Sequence, residues 1–172
     1  MEKIKSNFDL THMLPNCCGV IDTTYISSAE PKPDHKKNYS MAVQVVVDPD
    51  MRFINCNVEW SGTKNTSSIL HGSLICTKHE KGLLLNGGKR KLSDEPEVVE
   101  YIIGDAGFPL LPWLLTPYGE KDLSDPKVEF NRRLSAARAI TMRGLARLKD
   151  THGSAFTESC GAQKIQIGRA HV

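Results

Sequence analysis

Residues 40–60 read SMAVQVVVDPDMRFINCNVEW, and this stretch decides the fold. Two runs rich in β-branched and aromatic residues, 40–47 and 52–60, flank Asp48-Pro49-Asp50. Such side chains suit a pleated, half-buried surface, while Asp and Pro turn the chain, so the spacing predicts a β-hairpin. Toward the N-terminus lies a Pro- and Lys-rich loop, AEPKPDHKKN at 29–38. Before it, residues 18–26 form a short, mostly apolar run that reads as a strand with Asp22 inside it. Residues 1–16 look like a polar lead-in closed by Pro15.

Toward the C-terminus, 61–66 reads as a polar turn and 67–79 as a helix, with Ile69, Leu70, Leu74 and Ile75 at helical spacing. Residues 80–97 carry Gly82, Gly87, Gly88, the basic run Lys89-Arg90-Lys91 and then acids, as a loop would. An apolar strand at 98–104 delivers Asp105 just past its carboxyl end. Residues 109–118 are compact and apolar, a helical turn and a short strand before Pro117. Asp125-Pro126 opens a helix expected to reach about Asp150, with Leu134, Ala137, Thr141, Leu145 and Leu148 on one face. The order is β-β-β-α-β-(short β)-α. That is the element sequence of a ribonuclease H-like fold, an α/β mixed sheet with flanking helices.

The chain has 172 residues, one domain's worth, with 40% hydrophobic and 24% charged residues. A net charge of +2 argues for neither a strong nucleic-acid binder nor a membrane-surface protein. No apolar run approaches the ~18 residues of a membrane span, and the first residues lack the apolar core of a signal peptide. The five cysteines, Cys17, Cys18, Cys56, Cys76 and Cys160, contain no C-x-x-C pair, and adjacent Cys17 and Cys18 are badly placed for zinc or for each other. Reduced thiols in the cytosol or nucleus are expected.

Residues 167–172, IGRAHV, are encoded by ATC-GGA-AGA-GCA-CAC-GTC, which matches a common sequencing-library adaptor, and Gln166 can supply the AG before it. They read as adaptor read-through, and the small, polar 153–166 segment reads as out of frame with the gene.

Asp22 and Asp105 suggest a chemistry. Two-metal phosphoryl transfer needs several carboxylates converging on two hard cations ~3.5–4 Å apart. One acid on the first strand and one at the end of a neighbouring strand can bridge a metal, and a third from the last helix completes the set. In that helix, FNRRLSAARAITMRGLARLKD, residue 142 is Met. The nearest helix acids, Glu129 and Asp150, lie about 20 and 12 Å away along the axis. Met142 falls on the border of the apolar stripe and is expected to pack, and its thioether is too soft for Mg²⁺. Taken singly, an Asp in or just after a strand is more often a cap or turn residue, so the residues alone leave both readings open.

The segments LPNCCGVIDTTYI, NYSMAVQVVVDPDMRFINC, EYIIGDAGFPLLPWLLTPY and EFNRRLSAARAITMRGLARLKD resemble the PIF/Harbinger DDE transposases, in particular the domesticated plant branch similar to the antagonist of like heterochromatin protein. The resemblance covers roughly residues 3–150. It implies a ribonuclease H-like nuclease core using Asp, Asp and Glu with divalent Mg²⁺ or Mn²⁺. Asp22 and Asp105 match the first two acids as catalytic and metal-binding residues, and Met142 stands where the family carries Glu. The first motif continues Thr24-Tyr25 where Thr-His is frequent, and 61–66 lacks an acid that the family usually has there.

The resemblance thus implies a DNA nuclease scaffold whose metal site and cleavage are lost. It also implies a nuclear protein working through partners, either a Myb/SANT-like DNA-binding protein or a Polycomb-type complex, with DNA contacted indirectly. A working nuclease retaining Asp22 and Asp105 is the alternative. Residues 1–150 are then a domain incomplete at both ends, since the family's preceding DNA-binding region and last helices are missing, and 151–172 are a non-native tail.

Other residues are read blandly. Lys89-Arg90-Lys91 is a solvated patch before it is a localisation signal. His12, His35, His71 and His79 show no ligand spacing, and Cys17 has no basic neighbour to activate it. Trp60 and Trp113 are core anchors. Arg132, Arg133 and Arg138 line the polar, solvated side of the last helix.

Overall fold

A computed structural model describes residues 1–27, 40–60, 65–91, 97–119, 121 and 123–159. The loop expected at 29–38, most of the polar turn at 61–66, and the terminal IGRAHV lie outside the described residues, as do His35 and Cys160.

The expected hairpin is β2 (Ser40–Val47) and β3 (Phe53–Trp60), paired antiparallel with Val43 opposite Val58 and Val45 opposite Cys56. Asp48 builds its turn. Buried, it accepts the Asp50 and Arg52 N–H groups on Oδ1, each at 2.9 Å, and the Arg52 Nε–H on Oδ2 at 2.7 Å. The side chain thereby satisfies backbone donors that a tight turn leaves without partners. Met51 closes the turn with φ 63°.

β1 (Cys17–Ser27) runs antiparallel to β2, from Val20 opposite Val47 to Ser27 opposite Ser40. On its other side β4 (Tyr101–Ile103) is parallel to β1, and β5 (Leu114–Leu115) is parallel to β4. The five-stranded order β3-β2-β1-β4-β5 is the mixed, ribonuclease H-like sheet that the element order implied. β4 is shorter than the expected 98–104 run because Val98 pairs with Arg90 instead.

Three helical expectations change. Residues 1–16 are no lead-in: Glu2–His12 forms α1, which buries Lys5 and Phe8. It ends at left-handed Met13, where the Met13 and Leu14 N–H groups return to the Asp9 and Phe8 carbonyls. The single helix expected at 67–79 is two, α2 (Thr66–His71) and α3 (Leu74–Glu80). Gly72 ends the first, and the Ser73 hydroxyl accepts the Cys76 N–H to start the second. α4 begins at Asp125 as expected and continues past Asp150 to Ser159.

Strand alternation sends side chains to two faces. One face carries Val20, Val43, Val45, Val47, Tyr101 and Ile103, packed with Phe8 of α1 and with Leu134, Ala137, Ile140 and Leu145 of α4. The opposite face carries Ile21, Val46, Ile102 and Leu114, packed with Leu70, Ile75 and Cys76 of α2 and α3. Trp113 is buried there as expected and stacks on His79 with ring centroids 4.7 Å apart. The Trp60 side chain lies outside the described residues.

Candidate functional site

Asp22 shares the strand parity of Val20, which puts it on the sheet face covered by α4. It is 6% exposed, and its Oδ1 accepts the Thr23 N–H at 2.8 Å. Asp105 follows β4, the parallel neighbour of β1. Its Oδ1 accepts the Gly107 N–H at 2.8 Å and its carbonyl accepts the Phe108 N–H at 3.2 Å, so the acid is fixed in a tight turn. Gly104 makes that turn fit, since a Cβ there would lie 2.8 Å from Phe108 Cδ2 and 3.0 Å from Ile21 Cγ2.

Arg138 of α4 stands between the two acids. Its Nη2 is 3.5 Å from Asp105 Oδ2 and 3.9 Å from Asp22 Oδ2. The side chain is 25% exposed, and its Nε is buried without a hydrogen-bond partner among the described residues. Burial pushes the Asp22 carboxyl above its ordinary range. The Thr23 N–H and then the Arg138 guanidinium oppose this, and the Asp105 charge adds to it. At an effective dielectric near 20, unit charges ~4 Å apart attract by about 4 kcal/mol, comparable to the several kcal/mol a buried ion loses in hydration. That the Asp22 carboxyl still sits above its ordinary range means this one cation, 3.9 Å away, offsets its burial incompletely.

The third position differs from its expectation. Met142 is 60% exposed, not packed. At ~100° per residue it lies about 100° around α4 from buried Thr141, while Arg138 lies about 60° around on the same side. Arg138 thus forms the edge of the buried arc, and Met142 lies just beyond it. Glu129 is engaged elsewhere, 2.7 Å from both Arg132 Nε and Arg133 Nε, and these guanidiniums hold its carboxyl down at about 2. Arg132 and Arg133 are accordingly ion-paired along the helix, and Arg138 is no solvated residue but part of the site.

Hard carboxylate oxygens are the donors Mg²⁺ or Mn²⁺ takes. Two carboxylates with a guanidinium between them, and a thioether at the third position, do not fit a pair of divalent cations. Among the described residues no group of three or more His, Cys, Asp or Glu side chains gathers to hold a metal ion.

The structure brings Asp22 and Asp105 to one cation and leaves Met142 in solvent. Sequence reasoning missed Arg138. Its signal was the four-residue spacing from position 142, which puts both on one side of the helix. Remaining candidates have local explanations. Arg90 pairs with Asp9 at 2.7 Å and Lys89 with Glu97 at 3.6 Å. Cys17 and Cys18 are buried free thiols, and desolvation pushes Cys18 up to about 12 and Cys17 still further, away from the thiolate a nucleophile needs. Among the described residues no helix is long and apolar enough to cross a membrane.

A family model described as DDE superfamily endonuclease matches residues 21–166. Two Arabidopsis thaliana proteins are similar over 87% of the chain. Protein ALP1-like is 48% identical over 158 residues, and protein antagonist of like heterochromatin protein 1 is 38% identical over 156. The chain covers 39% of the length of each relative. No solved structure matches significantly.

Proposed function

This chain belongs to the DDE superfamily endonucleases, and from that premise we propose that it is a domesticated, transposase-derived member whose catalytic site is impaired. It acts in the nucleus as a protein-interaction factor in chromatin regulation. The observation that carries this reading is the guanidinium of Arg138 beside Asp22 and Asp105, with Met142 at the position expected to bring the third acid. The family normally works with divalent metals. The side chains present keep two donors for one, with a cation already among them.

The printed name of one relative sets that protein against a like-heterochromatin protein. Carrying a chromatin role to this chain is part of the proposal, as are a Myb/SANT-like or Polycomb-type partner and an indirect route to DNA. The reading is tested by Mn²⁺-dependent DNA nicking, with Asp22→Ala as the control. No difference between parent and control supports it, and cleavage in the parent that disappears in the control overturns it.

A second reading is favoured by the survival of both aspartates at one point. In it the chain is a divalent-metal DNA nuclease working through Asp22 and Asp105 alone. It requires that Mn²⁺ bind at millimolar concentration and be lost on changing either Asp to Asn.

A further inference from the structure

We infer that Arg138 is a resident counter-ion of the Asp22–Asp105 pair. Its positive charge excludes a divalent cation from the two carboxylates, and it rests there because residue 142 offers it no carboxylate. The inference rests on reading Asp22 and Asp105 as the inherited acid pair. Its test reads cation binding rather than cleavage, so either can fail without the other.

Helix α4 itself shows what a fitted arginine does. Arg132 reaches both oxygens of Glu129, Nε at 2.7 Å and Nη2 at 2.8 Å, the two-point geometry of a strong guanidinium–carboxylate pair. Arg138 makes no such fit. Its Nη2–H donates one long hydrogen bond to Asp105 Oδ2 at 3.5 Å and stands 3.9 Å from Asp22 Oδ2, and among the described residues the buried Nε–H has no acceptor. A buried donor left without an acceptor is costly, so one long hydrogen bond from Nη2 to Asp105 and the charge of the two acids hold this side chain in place.

Residue 142 is the i+4 neighbour of Arg138, the spacing at which Glu129 already holds Arg133 at 2.7 Å. A carboxylate at 142 gives the guanidinium an acceptor on its own helix and draws it from between the aspartates. Methionine gives it none. Loss of the acid at 142 thereby has two effects: it removes a donor, and it leaves a cation free to occupy what remains.

The test is Mn²⁺ titration of the full chain, followed by the electron paramagnetic resonance of the free ion, for the parent, Arg138→Gln, Met142→Glu and Arg138→Gln/Asp22→Asn. Arg138→Gln is expected to bind Mn²⁺ at least about tenfold more tightly than the parent, because a cation has been removed from the ion's side. Adding Asp22→Asn is expected to abolish the gain. Equal affinity in the parent and a folded Arg138→Gln overturns the inference. Should Arg138→Gln melt too low to titrate, Arg138→Met, which also removes the charge and adds no hard donor, carries the same decision, and unchanged binding in Met142→Glu overturns the inference as well. A rise in the parent's own melting temperature on adding millimolar Mn²⁺ also overturns it, since an ion that stabilises the parent is not excluded.

Discussion

Asp22 is buried on the α4 face of the sheet, within 3.9 Å of one guanidinium nitrogen, and burial raises its pKa. An acid whose folded pKa lies above its unfolded one binds its proton more tightly in the folded state. Stability therefore falls as pH rises from the ordinary aspartate value through the folded value. Asp22→Asn removes that fall. In urea denaturation from pH 3 to 6, the stability of Asp22→Asn relative to the parent should increase with pH, and a flat or decreasing difference contradicts the assignment. Asp22 and Asp105 were legible because an acid inside a strand-like run, or just past its end, stands out against apolar neighbours. Arg138 was not, because helical periodicity fixes its angle around α4 but says nothing of what stands opposite.

At the scale of elements, α1 was invisible to periodicity for a specific reason. One of its two buried positions is a lysine. Lys5 Nζ donates to Glu100 Oε1 at 2.9 Å across 95 residues of sequence and pairs also with Glu2, while Glu100 Oε2 accepts the Gly87 N–H at 2.9 Å. The buried ion pair replaces the apolar contact a pattern search looks for, and its partner lies far along the chain. Breaking a buried pair by removing one partner strands the other charge. Glu100→Gln should therefore cost about 3 kcal/mol in urea denaturation, with Lys5→Met/Glu100→Gln costing less than the sum of the single changes. The hydrogen bond to Glu100, then that to Glu2, raises Lys5 to about 12 from an ordinary 10.5. The pair's contribution is thus whole below pH 10.5 and is lost as pH climbs through 12. Gly87 belongs to the same unit, because a Cβ there would stand 2.0 Å from Glu100 Oε1. Gly87→Ala should destabilise the parent and cost much less once Glu100 is Ala, read by the same double-mutant comparison. The break between α2 and α3 was missed for a related reason: Leu70, Leu74 and Ile75 keep helical spacing across Gly72-Ser73, although Ser73 caps a new start.

At the scale of the molecule, the hairpin, β1 and the helix entry at Asp125 carried enough information to imply the sheet. Their order leaves β1 central, with β2 antiparallel on one side and β4 parallel on the other. Because β4 pairs with the first half of β1 and ends beside Val20, Asp105 just past it comes level with Asp22 in mid-β1, and both meet the guanidinium that α4 presents. α1 completes the core beneath that arrangement through fully buried Phe8, so Phe8→Ala should cost about 3–5 kcal/mol in chemical denaturation. The central claim is that this inherited site no longer cuts DNA. It is tested most directly by incubating supercoiled plasmid with Mn²⁺ and the full chain beside Asp22→Ala. The account predicts the same low background of nicked circles for both, and nicking by the parent that Asp22→Ala abolishes would contradict it.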